Sequence, residues 1–99
     1  MPNIFIYAAS GRFNRGEFEW SSPQPGSTHD FMLFLRQATD VPMQRAALAA
    51  IRRFGFEDVQ FMSEGKPLDV AALDTPNLAP FRKNYEDAWA DGSSLAWYP

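Results

Sequence analysis

Residues 27–54, STHDFMLFLRQATDVPMQRAALAAIRRF, decide the fold of this chain. Ser27 has the character of a helix N-cap, and Asp30 would lie in the positively polarised first turn. Four apolar residues then recur at helical spacing: Phe31, Phe34, Leu35 and Ala38. Residues 31, 33 and 35 also alternate as in a strand, but the cap favours a helix over residues 27–38.

A second helix is predicted over residues 42–54. Val41 precedes a proline and therefore resists helical geometry, whereas Pro42 suits a first helical position. An apolar face contains Met43, Ala47, Ala50, Ile51 and Phe54. Gly55 suits the left-handed stop that commonly follows a helix.

On the N-terminal side, residues 3–9 alternate apolar side chains on both faces, which favours a strand in the middle of a sheet. Residues 10–16 have turn chemistry, with Gly11, Asn14 and Gly16 able to take positive φ. Residues 17–20 then alternate two carboxylates with Phe18 and Trp20. This order predicts an N-terminal β-hairpin.

On the C-terminal side, residues 57–62 favour a third strand, and residues 68–73 fit either a strand or a short helical turn. Residues 80–90 favour a third helix, because Phe81, Tyr85, Ala88 and Trp89 keep helical spacing before Gly92. Residues 95–98 favour a closing strand. The order predicts an α+β fold: one compact domain over residues 1–99, with a small mainly antiparallel sheet covered on one face by two to three helices.

Composition excludes several kinds of site. The chain contains 99 residues, no cysteine and one histidine, His29, which removes thiolate chemistry and cysteine-based zinc sites. No metal or cofactor is predicted. The longest apolar run, residues 31–35, is too short to cross a bilayer, and the N-terminal residues lack the pattern of a secretory signal. These observations predict a cytoplasmic protein.

Catalytic motifs are missing from the sequence. It contains no nucleophile elbow, phosphate-binding loop or dinucleotide fingerprint. His29 is the sole imidazole available as a general base. Its predicted position in the first turn of a helix indicates a surface residue rather than a base. The sequence therefore favours a protein that is not an enzyme.

Charge is unevenly distributed along this chain of net charge -3. Residues 36–53 contain four arginines and one acid, whereas residues 54–99 contain three basic residues and eight acids. Residues 35–54 have the outline of a helix-turn-helix that would present Arg45, Arg52 and Arg53 to DNA. The acidic total opposes that interpretation, and we expect these arginines to pair with C-terminal acids instead.

Two segments suggest protein recognition. Arg12, Phe13 and Arg15 would lie at the hairpin tip, and aromatic residues with arginine are enriched at interface hot spots. The alternative is that Phe13 folds back onto the core. The second segment is acidic and aromatic and would attract a basic partner; its candidate contact residues are Glu86, Asp87, Asp91 and Trp97.

The sequence thus favours a small acidic, non-enzymatic domain that binds another protein. Its size and charge are compatible with an inhibitor or immunity-type protein that masks a basic partner. One alternative is a DNA-binding regulator, and another is a small ligand-binding domain or enzyme whose pocket forms in the fold. An exposed sheet edge, at residues 17–20 or at the C-terminal strand, would also permit a homodimer.

Overall fold

The computed structural model describes residues 3–15 and 23–98. In chain order the elements are the strands and helices β1 (Asn3–Phe13), β2 (Thr28–Gln37), α1 (Gln44–Arg53), β3 (Phe56–Phe61), β4 (Lys66–Pro67), two 3-10 turns (Val70–Asp74 and Ala79–Phe81), α2 (Arg82–Asp91) and β5 (Ser93–Trp97). The strand predicted over residues 17–20, and with it the N-terminal hairpin, lies outside the described residues.

The strands form one antiparallel sheet in the order β3-β1-β2-β5, with β4 beside β1 on the β3 side. The longest pairing joins β1 to β2, from Asn3 opposite Gln37 to Arg12 opposite Thr28. The predicted α+β class with a small antiparallel sheet is therefore confirmed, and so is the central position of the first strand.

The helix predicted over residues 27–38 is wrong, because this segment forms β2. Phe31, Leu33 and Leu35 are buried on one face of the sheet, and Phe34 is buried on the other. A strand buried on both faces contains a nearly continuous apolar run. Such a run also satisfies helical spacing by coincidence.

The turn predicted over residues 10–16 is also wrong in its first part, because Ser10 to Phe13 continue β1. Gly11 is buried there, and a Cβ atom at this position would lie 3.0 Å from the carbonyl oxygen of Glu57 on β3. The glycine therefore permits close approach of two strands rather than a reversal of the chain.

The two helices pack on opposite faces of the sheet, so the prediction that helices cover a single face is wrong. The first core joins α1 to the odd-numbered side chains of β1 and β2, and it includes Phe5, Tyr7, Phe31, Leu33, Ala47, Ala50 and Ile51. The second core joins α2 to the even-numbered side chains Ile4, Ile6 and Phe34 through Ala88. Apolar residues on both faces of β1 require both layers.

The remaining predictions near the C-terminus are confirmed within a few residues: β3, α2 and β5 form where a strand, a helix and a strand are expected. Of the two alternatives for residues 68–73, the helical turn is correct. Asp69 caps it by accepting a hydrogen bond from the Ala71 amide at 3.0 Å. No helix in the described ranges is long and apolar enough to span a bilayer.

A buried polar network fixes the segment between β2 and α1. The Tyr7 hydroxyl donates to Gln37 Oε1 at 2.7 Å and accepts from the Met43 amide at 2.7 Å. Gln37 Nε2 donates to the Val41 carbonyl at 2.8 Å and to Thr39 Oγ1 at 3.0 Å. The sheet thereby positions the N-terminus of α1, whose cap residue Met43 has no side-chain cap of its own.

The same network makes stability sensitive to alkali. Burial raises the pKa of Tyr7, outweighing the hydrogen bond from Met43 that lowers it, and burial also raises the pKa of Tyr98. From about pH 10 the unfolded chain loses these protons while the folded chain keeps them. The free energy of unfolding is therefore fully retained below pH 10 and falls as the pH rises through the raised values.

We expect urea midpoints to decline above about pH 10, and to decline less in Tyr7→Phe than in the wild type. Equilibrium denaturation followed by circular dichroism at several pH values measures the difference. An equally steep decline in both proteins would contradict the assignment to Tyr7.

Candidate functional site

The segment predicted to form a hairpin tip does not present its aromatic residue. Phe13 is 2 % exposed, and its ring packs edge-on against Phe56 with centroids 5.3 Å apart. The expectation that Phe13 contacts a partner is therefore wrong, and the alternative, in which it covers the core, is correct. Its position follows from the strand alternation, which places it on the same face as Phe5 and Tyr7.

Arg12 is exposed on the opposite face, but its charge is matched. The guanidinium lies 3.1 Å from Asp58 and 3.6 Å from Glu57. An exposed pair of this kind contributes little to stability. Because of these ion pairs, Arg12 is not an isolated cation.

The acidic residues predicted as a partner surface lie on α2. Glu86 and Asp91 are exposed, while Asp87 forms an ion pair with Lys83 at 3.1 Å. Trp97 is not beside them. Its side chain belongs to the α1 face of the sheet, where its ring lies 4.9 Å from that of His29.

These predicted partner-binding residues do not form one surface. The α2 layer covers β1 at Ile4 and Ile6, whereas Arg12 lies six residues beyond Ile6 along the same strand. At about 3.3 Å per residue this is about 20 Å. The structure therefore separates the arginine segment from the acidic helix.

The arginines of the predicted DNA-binding segment all lie on or at the end of α1 and are exposed. The helix-turn-helix itself is absent, because residues 28–37 form a strand. The expected pairing with C-terminal acids is also wrong in the described part of the chain. Asp74 pairs with Arg82 at 3.0 Å and Asp87 pairs with Lys83, so α2 supplies its own cations.

Two of those arginines instead meet one from the N-terminal segment at a cleft of about 360 Å³. The cleft lies where the end of β1, the end of α1 and the start of β3 converge. It is lined by Asn14, Arg15, Arg52, Arg53, Gly55, Phe56 and Glu57. We call this site the arginine cleft.

Gly55 builds the arginine cleft by letting the two chain segments touch. Its carbonyl accepts from the Asn14 amide at 2.7 Å, and its own amide donates to the Arg52 carbonyl at 3.0 Å. Gly55 has φ +99°, and a Cβ atom there would lie 1.9 Å from the carbonyl oxygen of Arg15. No other residue fits, so this glycine sets the position of Arg15 beside Arg52.

The electrostatics of the arginine cleft are strongly positive. Within the described ranges, the side chains of Arg15, Arg52 and Arg53 have no ion pair or hydrogen bond. Among the described residues Glu57 supplies the one carboxylate of the lining, and this carboxylate already accepts from Asn14 Nδ2 at 3.2 Å. The C-terminal dipole of α1 favours cations at this end, which stabilises Arg52 and Arg53 but leaves their N–H groups available.

Three guanidinium groups around a cleft can recognise an anion. Each presents a planar fork of N–H donors that matches the oxygens of a carboxylate or a phosphate. Among the described residues the lining contains one aromatic residue, Phe56, and it is fully buried, so these residues offer no apolar wall to a ligand. Its chemistry is that of anion binding at a surface.

His29 has a structural role that the sequence does not reveal. Its Nδ1 lies 2.7 Å from the Tyr98 carbonyl, which can only accept, so Nδ1 carries a proton. Its Nε2 lies 2.8 Å from Ser27 Oγ, whose hydroxyl also contacts the Gln24 carbonyl. These contacts join the start of β2 to the end of β5.

Metal binding has no support in residues 3–15 and 23–98, where no group of three or more histidine, cysteine or carboxylate side chains comes together. The arginine cleft was missed because its members come from positions 14–15 and 52–57. Gly55 was the available signal, but the sequence indicates only that it ends a helix.

No protein-family model, curated protein or solved structure matches this chain, so the functional conclusion rests on the residues of the cleft itself.

Proposed function

We propose that this chain is a non-enzymatic binding domain whose arginine cleft holds an acidic segment of another protein. In this proposal the partner's carboxylates accept hydrogen bonds from Arg15, Arg52 and Arg53. The proposal places the protein in the cytoplasm, which the absence of cysteine supports.

One observation carries the proposal: within residues 3–15 and 23–98 the side chains of the three cleft arginines have no bonded partner, whereas three of the other four arginines have one. Arg12 and Arg82 pair with carboxylates, and the Arg36 guanidinium donates to the Trp89 carbonyl. Like charges that line one cleft repel one another, and an anion relieves that repulsion. A cluster of this kind at the convergence of three elements is therefore better explained by a ligand than by folding.

A protein segment fits the site better than a nucleic acid. The positive charge is local, and the C-terminal half of the chain is acidic, so a long polyanion would be repelled beyond the cleft. A small apolar metabolite fits less well, because ligand pockets of this size are mostly apolar, and this one is lined by charged and amide groups.

The test is a titration with a short blocked peptide of alternating aspartate and glutamate. Binding is monitored by NMR through the ¹⁵N–¹H signals of Asn14, Gly55 and the arginine Nε groups. We expect saturable shifts that weaken as salt rises. The double variant Arg52→Gln/Arg53→Gln should bind at least about tenfold more weakly, because each lost charge-assisted hydrogen bond contributes about 1 kcal/mol or more. Glu57→Gln should bind more tightly.

Arg45→Gln is the matched control. Arg45 is exposed on the same helix, but it is seven residues from Arg52, or about 10 Å along the axis. This separation is about one Debye length at physiological salt, so affinity should change by less than about twofold. A peptide of the same length made of asparagine and glutamine controls for non-ionic contacts.

Three results would contradict the proposal. Equal losses in Arg45→Gln and in the double variant would show only a general charge effect. Preference for a single-stranded oligonucleotide over the peptide would favour nucleic acid. Binding of a lysine peptide that disappears on charge reversal at Glu86 and Asp91 would assign recognition to α2 and a basic partner instead.

A further inference from the structure

The carboxylate of Glu57 lies in the lining of the arginine cleft, yet it pairs with an arginine outside that lining. Its Oε2 lies 3.6 Å from Nη2 of Arg12, and its Oε1 accepts from Asn14 Nδ2 at 3.2 Å. Within residues 3–15 and 23–98 it forms no ion pair with a cleft arginine. The acid of the cleft is therefore held at the rim.

The register of two strands explains this contact. Arg12 on β1 lies directly opposite Glu57 on β3, and oppositely charged side chains in such a cross-strand pair attract each other. The register shifts beyond this pair, and the next residue, Asp58, has φ +53°. Its Oδ2 accepts from Arg12 Nε at 3.2 Å and lies 3.1 Å from Nη2. One guanidinium therefore holds two carboxylates.

The contact between Arg12 and Glu57 is a weak one. Their side chains are 49 % and 52 % exposed, and exposed ion pairs contribute little free energy. Arg12 also divides its charge between two acids, of which Asp58 is the nearer. If Arg12 were lost, Glu57 would have the arginines of its own cleft as the alternative cations.

We propose that Arg12 is a positioning residue of the arginine cleft: it holds Glu57 at the rim and thereby leaves the three cleft arginines available to a ligand. The inference rests on the proposed function for the identity of that ligand, an acidic segment of another protein. Without Arg12, the Glu57 carboxylate turns into the cleft and competes with the carboxylates of the partner. Glu57 then acts as an internal inhibitor of binding.

The first experiment needs no ligand. It measures the exchange with water of the Nε–H protons of the three cleft arginines by NMR, in the free protein. In Arg12→Gln at least one of these protons should exchange about twofold more slowly or less, because it now donates to Glu57. In the double variant Arg12→Gln/Glu57→Gln the wild-type rate should return. Unchanged exchange in Arg12→Gln would overturn the inference.

The second experiment is a double-mutant cycle with the peptide of alternating aspartate and glutamate. Arg12→Gln should raise the dissociation constant by about two- to fivefold, the range expected for one exposed ion pair. In the Glu57→Gln background the same substitution should cause a loss at least about twofold smaller, because the competing carboxylate is gone. Equal losses in the two backgrounds would show that Arg12 acts only through its charge and would overturn the inference.

Arg82→Gln is the matched control for the loss of an exposed, paired arginine. The Arg82 guanidinium lies 3.0 Å from Asp74, and its side chain is 49 % exposed, as in Arg12. It is not part of the cleft lining, so the dissociation constant should change by less than about 1.5-fold. A loss as large as that of Arg12→Gln would again indicate a general charge effect and contradict the inference.

The two experiments separate failure of this inference from failure of the proposed function. Absence of peptide binding in the wild type would contradict the proposed function. The exchange rates of the free protein would still decide whether Arg12 positions Glu57.

Discussion

Replacing Gly55 with alanine is expected to lower the free energy of unfolding by about 2 to 4 kcal/mol. Part of the loss comes from φ +99°, where an L-residue is strained. The larger part comes from the new Cβ atom, which would lie 1.9 Å from the Arg15 carbonyl oxygen and must displace the segment that follows β1. Urea denaturation of both proteins measures the difference.

Gly26→Ala separates these two causes. Gly26 has φ +88°, but among the described residues a Cβ atom there meets nothing within 4 Å. It should therefore lose only the conformational part, about 1 to 2 kcal/mol. Equal losses at the two glycines would show that the close approach to Arg15 is unimportant. Gly55→Ala should also weaken binding of the acidic peptide, because Arg15 moves out of position.

Replacing Tyr7 with phenylalanine is expected to lower the free energy of unfolding at neutral pH by about 2 to 4 kcal/mol. The substitution leaves the ring in place but removes the hydroxyl that joins Gln37 Oε1 to the Met43 amide. Tyr7 is fully buried and Gln37 is 7 % exposed, so water cannot easily replace the missing partner. Thermal and urea denaturation provide the measurement.

Tyr85→Phe is the comparison for this substitution. Tyr85 is half-buried and packs edge-on against Trp89 with ring centroids 6.2 Å apart, and no hydrogen bond of its hydroxyl is found among the described residues. Its loss should stay within about 0.5 kcal/mol. A similar loss at both tyrosines would show that the Tyr7 network does not stabilise the fold.

Local pattern predicted much of the fold correctly where a single face is buried. The amphipathic residues 42–54 formed α1, and residues 57–62 formed β3 with small shifts in their bounds. The pattern gave a wrong prediction for residues 27–38, because the apolar residues of a strand buried on both faces also fall at helical spacing. Ser27 did not cap a helix, since its hydroxyl instead contacts His29 and the Gln24 carbonyl.

The prediction that helices cover one face of the sheet conflicts with the pattern of the first strand. Residues 3–9 were predicted to be apolar on both faces, and Ile4 and Phe5 are indeed buried in different cores. A strand of that kind requires cover on both sides, which one-sided helices cannot supply. The placement of α2 opposite α1 could therefore have been predicted from the first strand.

The arginine cleft could not be predicted in the same way. Arg15 and Arg52 are 37 positions apart, and their proximity depends on the register of β3 against the end of β1, where Phe13 lies opposite Phe56. Local pattern carries no information on that register. The sequence therefore identified the arginines but assigned them to two unrelated sites.

The central position of β1 has a consequence for the order of folding. Its partners on one side are β3 and β4, and Phe5 lies opposite Pro67, 62 positions later in the chain. A ribosome must therefore add more than half of the chain before the first strand can complete its pairing. Pairings of such long range are slow to form. During synthesis β1 therefore has an unpaired edge and exposed apolar side chains for a time, and in this state it is a candidate for chaperone binding.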